Sequence, residues 1–421
     1  MKTSQDWTAC FAQRTTLMRR NTVRELLKVA SRPDIISFAG GLPAAELFPV
    51  ETIKTALAAV LDRVGGAALQ YSTTEGLPGL RAWLARRFSN RRLRVDPENI
   101  LITTGAQQAL DLIGRILLDE GDRVIVENPT YLALLSAWRP LGVKFLPVAS
   151  DAGGMRMTEC ELQMRAGPQA VYCAPNFQNP QGVTLSAARR VRLVALARRF
   201  STVLIEDDPY GELRYEGKPL PSLLALDATH RPGLGLDTRV IYTGTFSKTL
   251  MPGLRVGWVI APRPVIEKLT QAKQAADLHT STLSQHLVLE LLSRDFLRDF
   301  VPVLRRHYRR RRDAMLAALK KYFPNGASWT HPRGGMFLWV HLPESMDASR
   351  LLPTALAQGV AFVPGEAFHL NGRGKNTLRL NFSSVTPERI DAGIKTLGHL
   401  VNHRRGLLCR EPTGDSDVKA G

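Results

Sequence analysis

The sequence predicts an α/β protein, with a mostly parallel sheet between helices and a second, smaller α/β domain after it. Two observations lead to this prediction. From about Asn99, short apolar runs alternate with stretches whose apolar residues recur at helical spacing. The short runs are also continuously apolar, which is typical of strands covered on both faces, as in a parallel sheet.

Seven apolar runs are the predicted strands of the first domain. In chain order they are NILITTG, DRVIVENP, VKFLPV, AVYCAP, STVLIEDDPY, RVIYTGTFSK and RVGWVIAP. Helical segments such as AQQALDLIGRILL and SAARRVRLVALARRF lie between several of them. Because ligands of parallel α/β sheets bind at the carboxyl ends of the strands, we expect the functional site there.

The chain changes character after about Ile266. A long helical region reaches Tyr322, and GMFLWVHL, VAFVPG and TLRLNFS then predict a small sheet interleaved with helices. Before the large domain, an arm with a helix at TVRELLKVA is expected to belong to the small domain or to a substrate lid. The predicted division is an arm at 1–50, a large domain at 51–290, a small domain at 291–405 and a disordered polar tail at 406–421.

The chain carries a formal net charge of +18, from 56 Lys and Arg against 38 Asp and Glu. A nucleic acid or an anionic substrate is one explanation, and solvated helix faces are the other. The basic clusters ARRFSNRRLRV and LRRHYRRRRDAM have helical spacing, and no zinc spacing or basic–aromatic platform accompanies them. We therefore attribute the charge to surface helices and expect no nucleic-acid partner.

Cysteine usage and hydropathy favour a cytoplasmic protein. The four cysteines are far apart and form no CxxC pair, which predicts reduced thiols and neither a disulfide framework nor a metal site. The N-terminus has no long apolar core, and no 18 apolar residues run together. We expect neither a signal peptide nor a membrane span.

The stretch TFSKTLMPGLRVG predicts a phosphate-binding site. Thr245 and Ser247 are two residues apart, so in an extended segment their hydroxyls point the same way, while Lys248 projects to the other side. Arg255 follows a Pro-Gly turn that can fold it back toward the hydroxyls. Two hydroxyl donors and a guanidinium suit a phosphate. The alternative is a loop with a surface lysine.

Two further strand ends carry polar residues. LIEDDPYGEL places at least one carboxylate in a partly buried position, where Asp207 and Tyr210 could reach one flat ligand. An Asx turn at a strand end is the alternative. In APNFQNPQGVTLS, tight turns after a strand present Asn179 at the edge of the sheet.

These motifs together resemble those of the fold-type I aminotransferases that use pyridoxal phosphate. YSTTEGLPGLR, TTGAQQAL, ENPTY, NPQG, DDPY, SKTLMPGLRVG and LRLNF occur in the order of that family, across nearly the whole chain. TVRELLKVASRPDIISFAGGLPAAELFP is most similar to 2-aminoadipate and kynurenine aminotransferase-like enzymes. The resemblance implies a seven-stranded, mostly parallel sheet in the large domain.

The resemblance also implies a role for each residue at the cofactor ring. Lys248 would hold pyridoxal phosphate as a Schiff base and then move the substrate proton. Asp207 would pair with the ring nitrogen, and Tyr210 and Asn179 would hydrogen-bond the phenolate oxygen. Tyr131 would stack on the ring face.

The cofactor phosphate is expected between Thr245, Ser247 and Arg255, with amides supplied by Ala106 and Gln107 at the start of a helix. No metal is implied.

Tyr71 resembles the tyrosine that reaches the phosphate of the neighbouring subunit, which implies a homodimer with shared active sites. The alternative is a tyrosine in the core of its own subunit.

On the substrate side, Arg379 would clamp the α-carboxylate, Asn179 would also contact the substrate, and Gly41 would allow close approach to the backbone. A surface strand arginine is the alternative for Arg379. Arg24 matches the residue that reaches a second substrate carboxylate, although it could instead face solvent.

The implied activity is ping-pong transfer of an amino group from an L-amino acid to a 2-oxo acid such as 2-oxoglutarate. The amino acid is 2-aminoadipate-like, with aromatic and aliphatic ones also possible. One alternative is a decarboxylase, lyase or racemase that uses the same cofactor and fold. Another is the effector domain of a transcription regulator, although only about 35 residues precede SFAGGLP.

Overall fold

The computed structural model describes residues 7–18, 26, 32–90, 93–231 and 235–408. Its strands are β1 (Ile36–Ser37), β2 (Ile100–Thr103), β3 (Arg123–Asn128), β4 (Lys144–Asp151), β5 (Gly154–Met155), β6 (Ala170–Cys173), β7 (Val203–Asp207), β8 (Thr229–Arg231), β9 (Gly235–Asp237), β10 (Val240–Thr245), β11 (Gly257–Ile260), β12 (Ser328–Trp329), β13 (Phe337–His341), β14 (Val360–Ala361), β15 (Val363–Pro364) and β16 (Thr377–Asn381).

The described residues also form α-helices, singly or in succession between the strands. They are α1 (Val50–Val64), α2 (Pro78–Phe88), α3 (Ala106–Leu117), α4 (Leu132–Trp138), α5 (Met157–Met164), α6 (Ala187–Arg199), α7 (Leu223–Asp227), α8 (Arg263–Ala276), α9 (Thr282–Ser293), α10 (Phe296–Tyr322), α11 (Ala348–Ala357) and α12 (Pro387–Leu408). In this part of the chain, no helix is both long and apolar enough to cross a membrane.

The chain divides into two compact units. The first comprises Met1–Asn21, Ala45–Arg306 and Pro332–Gly335, and the second comprises Thr22–Ala44, His307–His331 and Met336–Gly421. Part of the predicted arm falls in the second unit because β1 pairs with β14 there. The first unit extends to Arg306, which lies within α10, so this helix contributes residues to both units, and the domain boundary at residue 290 stays a prediction.

The first unit contains a twisted layer of strands in the order β2-β11-β10-β7-β6-β3-β4-β5. Strands β10, β7, β6, β3 and β4 are parallel to one another, whereas β11 is antiparallel to both of its neighbours. The predicted α/β class and mostly parallel sheet are confirmed. Beyond the seven expected strands, the two-residue β5 turns back on β4 at the edge.

Most strands of the sheet in the first unit are buried on both faces. All residues of β2, β6, β10 and β11 are buried, which is why these strands are continuously apolar in the sequence. Side chains such as Ile102, Val171 and Leu204 form one apolar cluster with residues of the flanking helices. Burial of each such side chain contributes about 1.5–3 kcal/mol, so the cluster fixes where the strand ends lie.

The second unit has an antiparallel sheet of order β12-β13-β16-β15. GMFLWVHL and TLRLNFS supply β13 and β16, which pair with Trp339 opposite Arg379. VAFVPG supplies β14 and β15. The apolar runs predicted to form a small sheet after Tyr322 therefore all form strands.

The attribution of the basic clusters to solvated helix faces is wrong at two positions. Arg311 and Arg312 of α10 are buried in the second unit. Arg311 donates to the carbonyl oxygen of Ser383, and Arg312 bonds Asp313 over 2.6 Å. Helical spacing identifies the face of a helix, but it does not show that arginines on that face are covered by another segment.

Several predictions concern residues that the structure does not describe. The helix TVRELLKVA lies outside the described residues except for Leu26, which is helical and buried. Residues 409–421 of the predicted tail and Cys409 also lie outside them. The thiols of Cys10, Cys160 and Cys173 are free, and burial raises the pKa of Cys160 to about 12.

Candidate active site

Strand β11 begins at the end of the sheet at which its neighbours β2 and β10 terminate. Its first residue, Gly257, pairs with Thr103 at the end of β2 and with Thr245 at the end of β10. Strand β7 ends beside β10, with Asp207 paired to Thr243. The strands thus bring candidate residues from distant parts of the sequence to one edge of the sheet.

The two predicted phosphate-binding hydroxyls lie together at the end of β10. Thr245 Oγ1 and Ser247 Oγ are 2.9 Å apart, and the Ser247 amide donates to Thr245 Oγ1 over 3.1 Å. Thr245 Oγ1 also donates to the carbonyl oxygen of Val256 over 3.2 Å. The hydroxyls predicted to share one side of the segment therefore do so, and both are buried.

Arg255 lies against the turn before α3. It has a left-handed backbone, with φ of 54°, and its Nη2 donates to the carbonyl oxygen of Thr104 over 3.1 Å. A Cβ atom on Gly105 would lie 2.5 Å from Arg255 Nη2. Ala106 is the first residue of α3, and the Gln107 side chain donates to the carbonyl oxygen of Ala133. A guanidinium and a helix amino terminus thus lie together, as an anion site requires.

Asp207 is the buried acid of the site, with 3% of its surface exposed. Thr243 Oγ1 donates to its Oδ1 and Tyr172 Oη to its Oδ2, both over 2.8 Å. Burial raises the pKa of Asp207 to about 6, and the two hydroxyls oppose that rise by stabilising the anion. The buried carboxylate predicted at the end of this strand is therefore present.

The neighbouring Asp208 has different surroundings. Its carboxylate accepts from the Gly211 amide over 2.9 Å, and Tyr242 Oη lies 3.5 Å away. It lines a cavity of about 710 Å³ together with Asn176 and Arg214. That cavity includes Thr245 but neither Lys248 nor Asp207, so we assign it no part in the chemistry.

The turn that carries Asn179 is tied to the turn that carries Tyr131. Gln178 Nε2 donates to the carbonyl oxygen of Pro129 over 2.8 Å, and the Gln181 amide donates to Gln178 Oε1 over 3.0 Å. Asn179 is buried and Tyr131 is half-buried. The two residues predicted to contact the ring oxygen and the ring face thus lie on adjacent turns.

Lys248 and Tyr210 follow the ends of two neighbouring strands. Lys248 comes directly after Ser247 and is half-buried, so it is not the fully exposed surface lysine of the alternative interpretation. Tyr210 is buried, and the Leu213 amide donates to its carbonyl oxygen over 2.8 Å. Among the described residues, no three His, Cys, Asp or Glu side chains could hold a metal ion.

Within the second unit, Arg379 and Gly41 lie at one phenylalanine. Arg379 is 4% exposed, its Nη2 donates to the carbonyl oxygen of Ala39 over 2.6 Å, and its guanidinium lies 4.4 Å from the centre of the Phe337 ring and 5.0 Å from that of Phe368. A Cβ atom on Gly41 would lie 3.0 Å from Phe337 Cζ. The alternative of a surface arginine is therefore wrong.

Tyr71 is 77% exposed and touches His279 edge-on, with ring centres 5.6 Å apart. The alternative that it lies in the core of its own subunit is therefore wrong. Its reach to a neighbouring subunit stays a prediction. Arg24 lies outside the described residues, so its predicted role in substrate binding stays a prediction as well.

Three buried polar side chains in or near the site were not predicted from the sequence. Tyr172 and Gln178 hold Asp207 and the Asn179 turn, as described above. Arg190 is fully buried and donates to the carbonyl oxygens of Leu185, Pro175 and Pro221 and to Asn176 Oδ1. One signal was readable for Tyr172, because a tyrosine in an otherwise apolar buried strand needs a hydrogen-bond partner.

Comparisons with known proteins cover nearly the whole chain. The family described as aminotransferase class I and II matches residues 34–397. The chain is 44% identical to the 2-aminoadipate transaminase of Thermus thermophilus over 405 residues, which are 96% of this chain and 98% of the relative. It is 43% identical to aromatic-amino-acid aminotransferase 1 of Thermococcus litoralis over 406 residues, 94% and 95% of the two chains.

A solved structure agrees with these relatives. The α-aminoadipate aminotransferase LysN of Thermus thermophilus, complexed with N-(5'-phosphopyridoxyl)-L-leucine, matches with a TM-score of 0.87 and 42% identity. The match covers 95% of this chain and 99% of LysN.

Proposed function

We propose that this chain, which belongs to the class I and II aminotransferases, moves an amino group between an L-amino acid of the 2-aminoadipate or aromatic type and a 2-oxo acid such as 2-oxoglutarate. Members of this family are transaminases that use pyridoxal phosphate. The proposal therefore concerns the substrates, the ping-pong order of the two half-reactions, and the residues that carry them.

The observation that carries the site assignment is the buried carboxylate of Asp207 beside the strand that leads to Lys248. Asp207 ends β7, and the neighbouring β10 runs on through Thr245 and Ser247 to Lys248. An acid is thus held at the end of β7, two hydroxyls lie together at the end of β10, and the Arg255 guanidinium contacts Thr104, just after β2. A flat cation with a phosphate on one side suits this arrangement.

The described residues fit pyridoxal phosphate by the chemistry of their donors. Thr245, Ser247, Arg255 and the amino end of α3 would bind the phosphate, because all of them offer N–H or O–H groups to an anion. Asp207 would hold the proton of the ring nitrogen. When bound, the cofactor supplies a sink for the electron pair left at the substrate carbon.

The remaining residues are proposed to contact the cofactor ring and its substituents. Lys248 Nζ would bind the cofactor covalently and carry a proton to and from the substrate. Tyr210 and Asn179 would donate hydrogen bonds to the ring oxygen, and Tyr131 would cover one face of the ring. The hydrogen bond between the turns of Asn179 and Tyr131 supports this division of roles, since it fixes the two turns relative to each other.

Substrate recognition is proposed to depend on Arg379. Its guanidinium is oriented by two phenylalanine rings and by the carbonyl oxygen of Ala39, and the planar fork of an arginine matches the geometry of a carboxylate. Gly41 would leave room for the substrate beside Phe337, and Asn179 would also contact the substrate. Arg24 is proposed to bind the second carboxylate of acidic substrates.

We further propose a homodimer in a cytoplasmic setting, with Tyr71 reaching the phosphate of the partner subunit. The exposure of a large aromatic side chain supports this, since contact with a second subunit would cover it.

A half-reaction tests the activity. The holoenzyme is mixed with L-2-aminoadipate without a 2-oxo acid, and the product acid and the amine form of the cofactor are measured. We expect one equivalent of each per active site. Release of carbon dioxide would instead indicate a decarboxylase. Formation of D-2-aminoadipate without a 2-oxo acid product would indicate a racemase. A panel of amino donors with 2-oxoglutarate then ranks acidic, aromatic and aliphatic substrates.

A further inference from the structure

The carboxylate of Asp207 is held from both sides by neutral hydroxyls. Strand β7 lies between β6 and β10, and each neighbour supplies one donor. Tyr172 of β6 donates to Oδ2, and Thr243 of β10, directly opposite Asp207 in register, donates to Oδ1. Both distances are 2.8 Å, so both oxygens of the carboxylate are fixed.

The tyrosine donor is itself immobilised. Tyr172 is 1% exposed, and its ring packs edge-on against Trp138 with ring centres 6.2 Å apart. Trp138 Nε1 donates to the carbonyl oxygen of Leu110 over 2.8 Å, and a Cβ atom on Gly114 would lie 2.6 Å from the indole. Because the indole is buried, hydrogen-bonded and close to Gly114, it holds the ring of Tyr172 and thereby restricts its hydroxyl.

The choice of neutral donors matters for an acid that must pair with a cation. An arginine or lysine beside Asp207 would satisfy the carboxylate with its own positive charge and weaken its attraction for a ring cation. Hydroxyls stabilise the anion without adding charge. The titratable groups that act on these three side chains include Asp208, next in the chain, Tyr131 and Glu127 near Tyr172, and Tyr242 of the neighbouring strand.

We propose that Tyr172 and Thr243 are positioning residues that fix both oxygens of Asp207, so that the carboxylate meets the ring nitrogen of the cofactor as an anion in a single orientation. The proposal rests on the role of Asp207 in the proposed function. Each carboxylate oxygen can accept a second hydrogen bond. The ring N–H can therefore be accepted without displacing either hydroxyl.

Four variants separate positioning from packing. Tyr172→Phe removes one hydroxyl, and Thr243→Val removes the other while keeping the branched shape. Thr243→Ser keeps the hydroxyl and loses the methyl group. Tyr242→Phe is the matched control, because Tyr242 is also a buried tyrosine of this sheet, but its hydroxyl lies near Asp208.

The main readout is the affinity of the full-length apoenzyme for pyridoxamine phosphate, which binds without a covalent bond and so reports the ring contacts. We expect Tyr172→Phe and Thr243→Val to raise its dissociation constant about tenfold, the effect of one hydrogen bond to a charged group. Thr243→Ser and Tyr242→Phe should stay within about twofold of the wild type. If packing were the role, Thr243→Ser would be impaired and Thr243→Val would not.

A second readout follows the acid itself. Infrared spectra of the apoenzyme, with the spectrum of Asp207→Asn subtracted, give the pH at which Asp207 titrates. Loss of the Tyr172 hydroxyl should move that titration to higher pH, because a donor to the anion is removed. The same shift should appear in Thr243→Val and not in Tyr242→Phe. Thr243→Val and Thr243→Ser decide the question even if Tyr172→Phe fails to fold.

The outcomes distinguish two failures. If Asp207→Asn weakens binding of pyridoxamine phosphate but the hydroxyl variants bind like Tyr242→Phe, the positioning role is wrong and the proposed function stands. If Asp207→Asn itself binds like the wild type, the role assigned to Asp207 in the proposed function fails, and the positioning role fails with it.

Discussion

Gly257 lies so close to Gly105 that a Cβ atom on Gly257 would be 2.8 Å from the carbonyl carbon of Gly105 and 2.9 Å from the Ala106 amide nitrogen. The start of β11 and the turn before α3 therefore meet backbone to backbone. This contact fixes the amino end of α3 beside the end of β10, where the proposed phosphate site lies.

Gly257→Ala should weaken the cofactor site more than the fold. The new methyl group meets backbone rather than a flexible side chain, so the turn before α3 must shift. We expect the dissociation constant for pyridoxal phosphate, measured by titration of the apoenzyme, to rise at least about tenfold. Gly66→Ala is the control, because a Cβ atom there has open space around it. Equal affinities in the two variants would contradict the proposed place of the phosphate.

Lys248→Ala should abolish covalent attachment of the cofactor. Without the Nζ atom there is no amine to bond the aldehyde, so borohydride treatment should leave no label on the protein. The measurement is the mass of the borohydride-treated chain, together with transaminase activity. Lys268→Ala, on an exposed face of α8, serves as the control and should be labelled fully. Full labelling of Lys248→Ala would place the attachment on another lysine.

Arg379→Lys should impair every amino-acid substrate while leaving cofactor binding intact. Lysine keeps the charge but loses the two-pronged fork that matches a carboxylate. We expect kcat/KM to fall about 100-fold for acidic and aromatic substrates alike. Arg350→Lys, which is exposed, is the control. A loss confined to acidic substrates would assign Arg379 to the second carboxylate instead of the first.

Glu206 should make stability depend on pH. Its carboxylate accepts from the amides of Leu223 and Leu224 over 2.8 and 2.9 Å, yet burial raises its pKa from 4.5 to about 7. Between these values the folded state keeps a proton that the unfolded state has released. The contribution of Glu206 to stability is therefore greatest below pH 4.5, falls by roughly 3 kcal/mol as pH rises to about 7, and is constant above that.

Chemical unfolding of the wild type and Glu206→Gln at several pH values checks this prediction. The difference in the free energy of unfolding should change in favour of Glu206→Gln as pH rises from about 5 to about 8. Glu127 is also buried with a pKa of about 7, so the difference between the two proteins, rather than the wild-type curve alone, isolates Glu206. A difference that does not vary with pH would show that Glu206 is ionised in the folded state throughout.

The local pattern of the sequence was sufficient for the architecture and for the grouping of some candidate residues, whose roles stay predictions. Continuously apolar runs separated by helical stretches predicted the buried parallel sheet, because strands covered on both faces leave that pattern. Thr245, Ser247 and Arg255 were predicted as a group, because the two-residue spacing of the hydroxyls and the following turn are local properties. The charge clusters gave a partly wrong prediction at Arg311 and Arg312, since burial by a distant segment is not local.

What the sequence alone determined is which residues lie where the strands end: the two acids at the end of β7, and the hydroxyls and Lys248 at the end of β10. Only the tertiary structure decided that Asp207 rather than Asp208 is held by Tyr172 and Thr243, that Gly257 touches Gly105, and that Tyr71 faces outward. The reason is the strand order. Strands β6, β7 and β10 are adjacent in the sheet but far apart in the chain. The hydrogen bonds between their side chains therefore arise from strand pairing, which short-range sequence patterns do not encode.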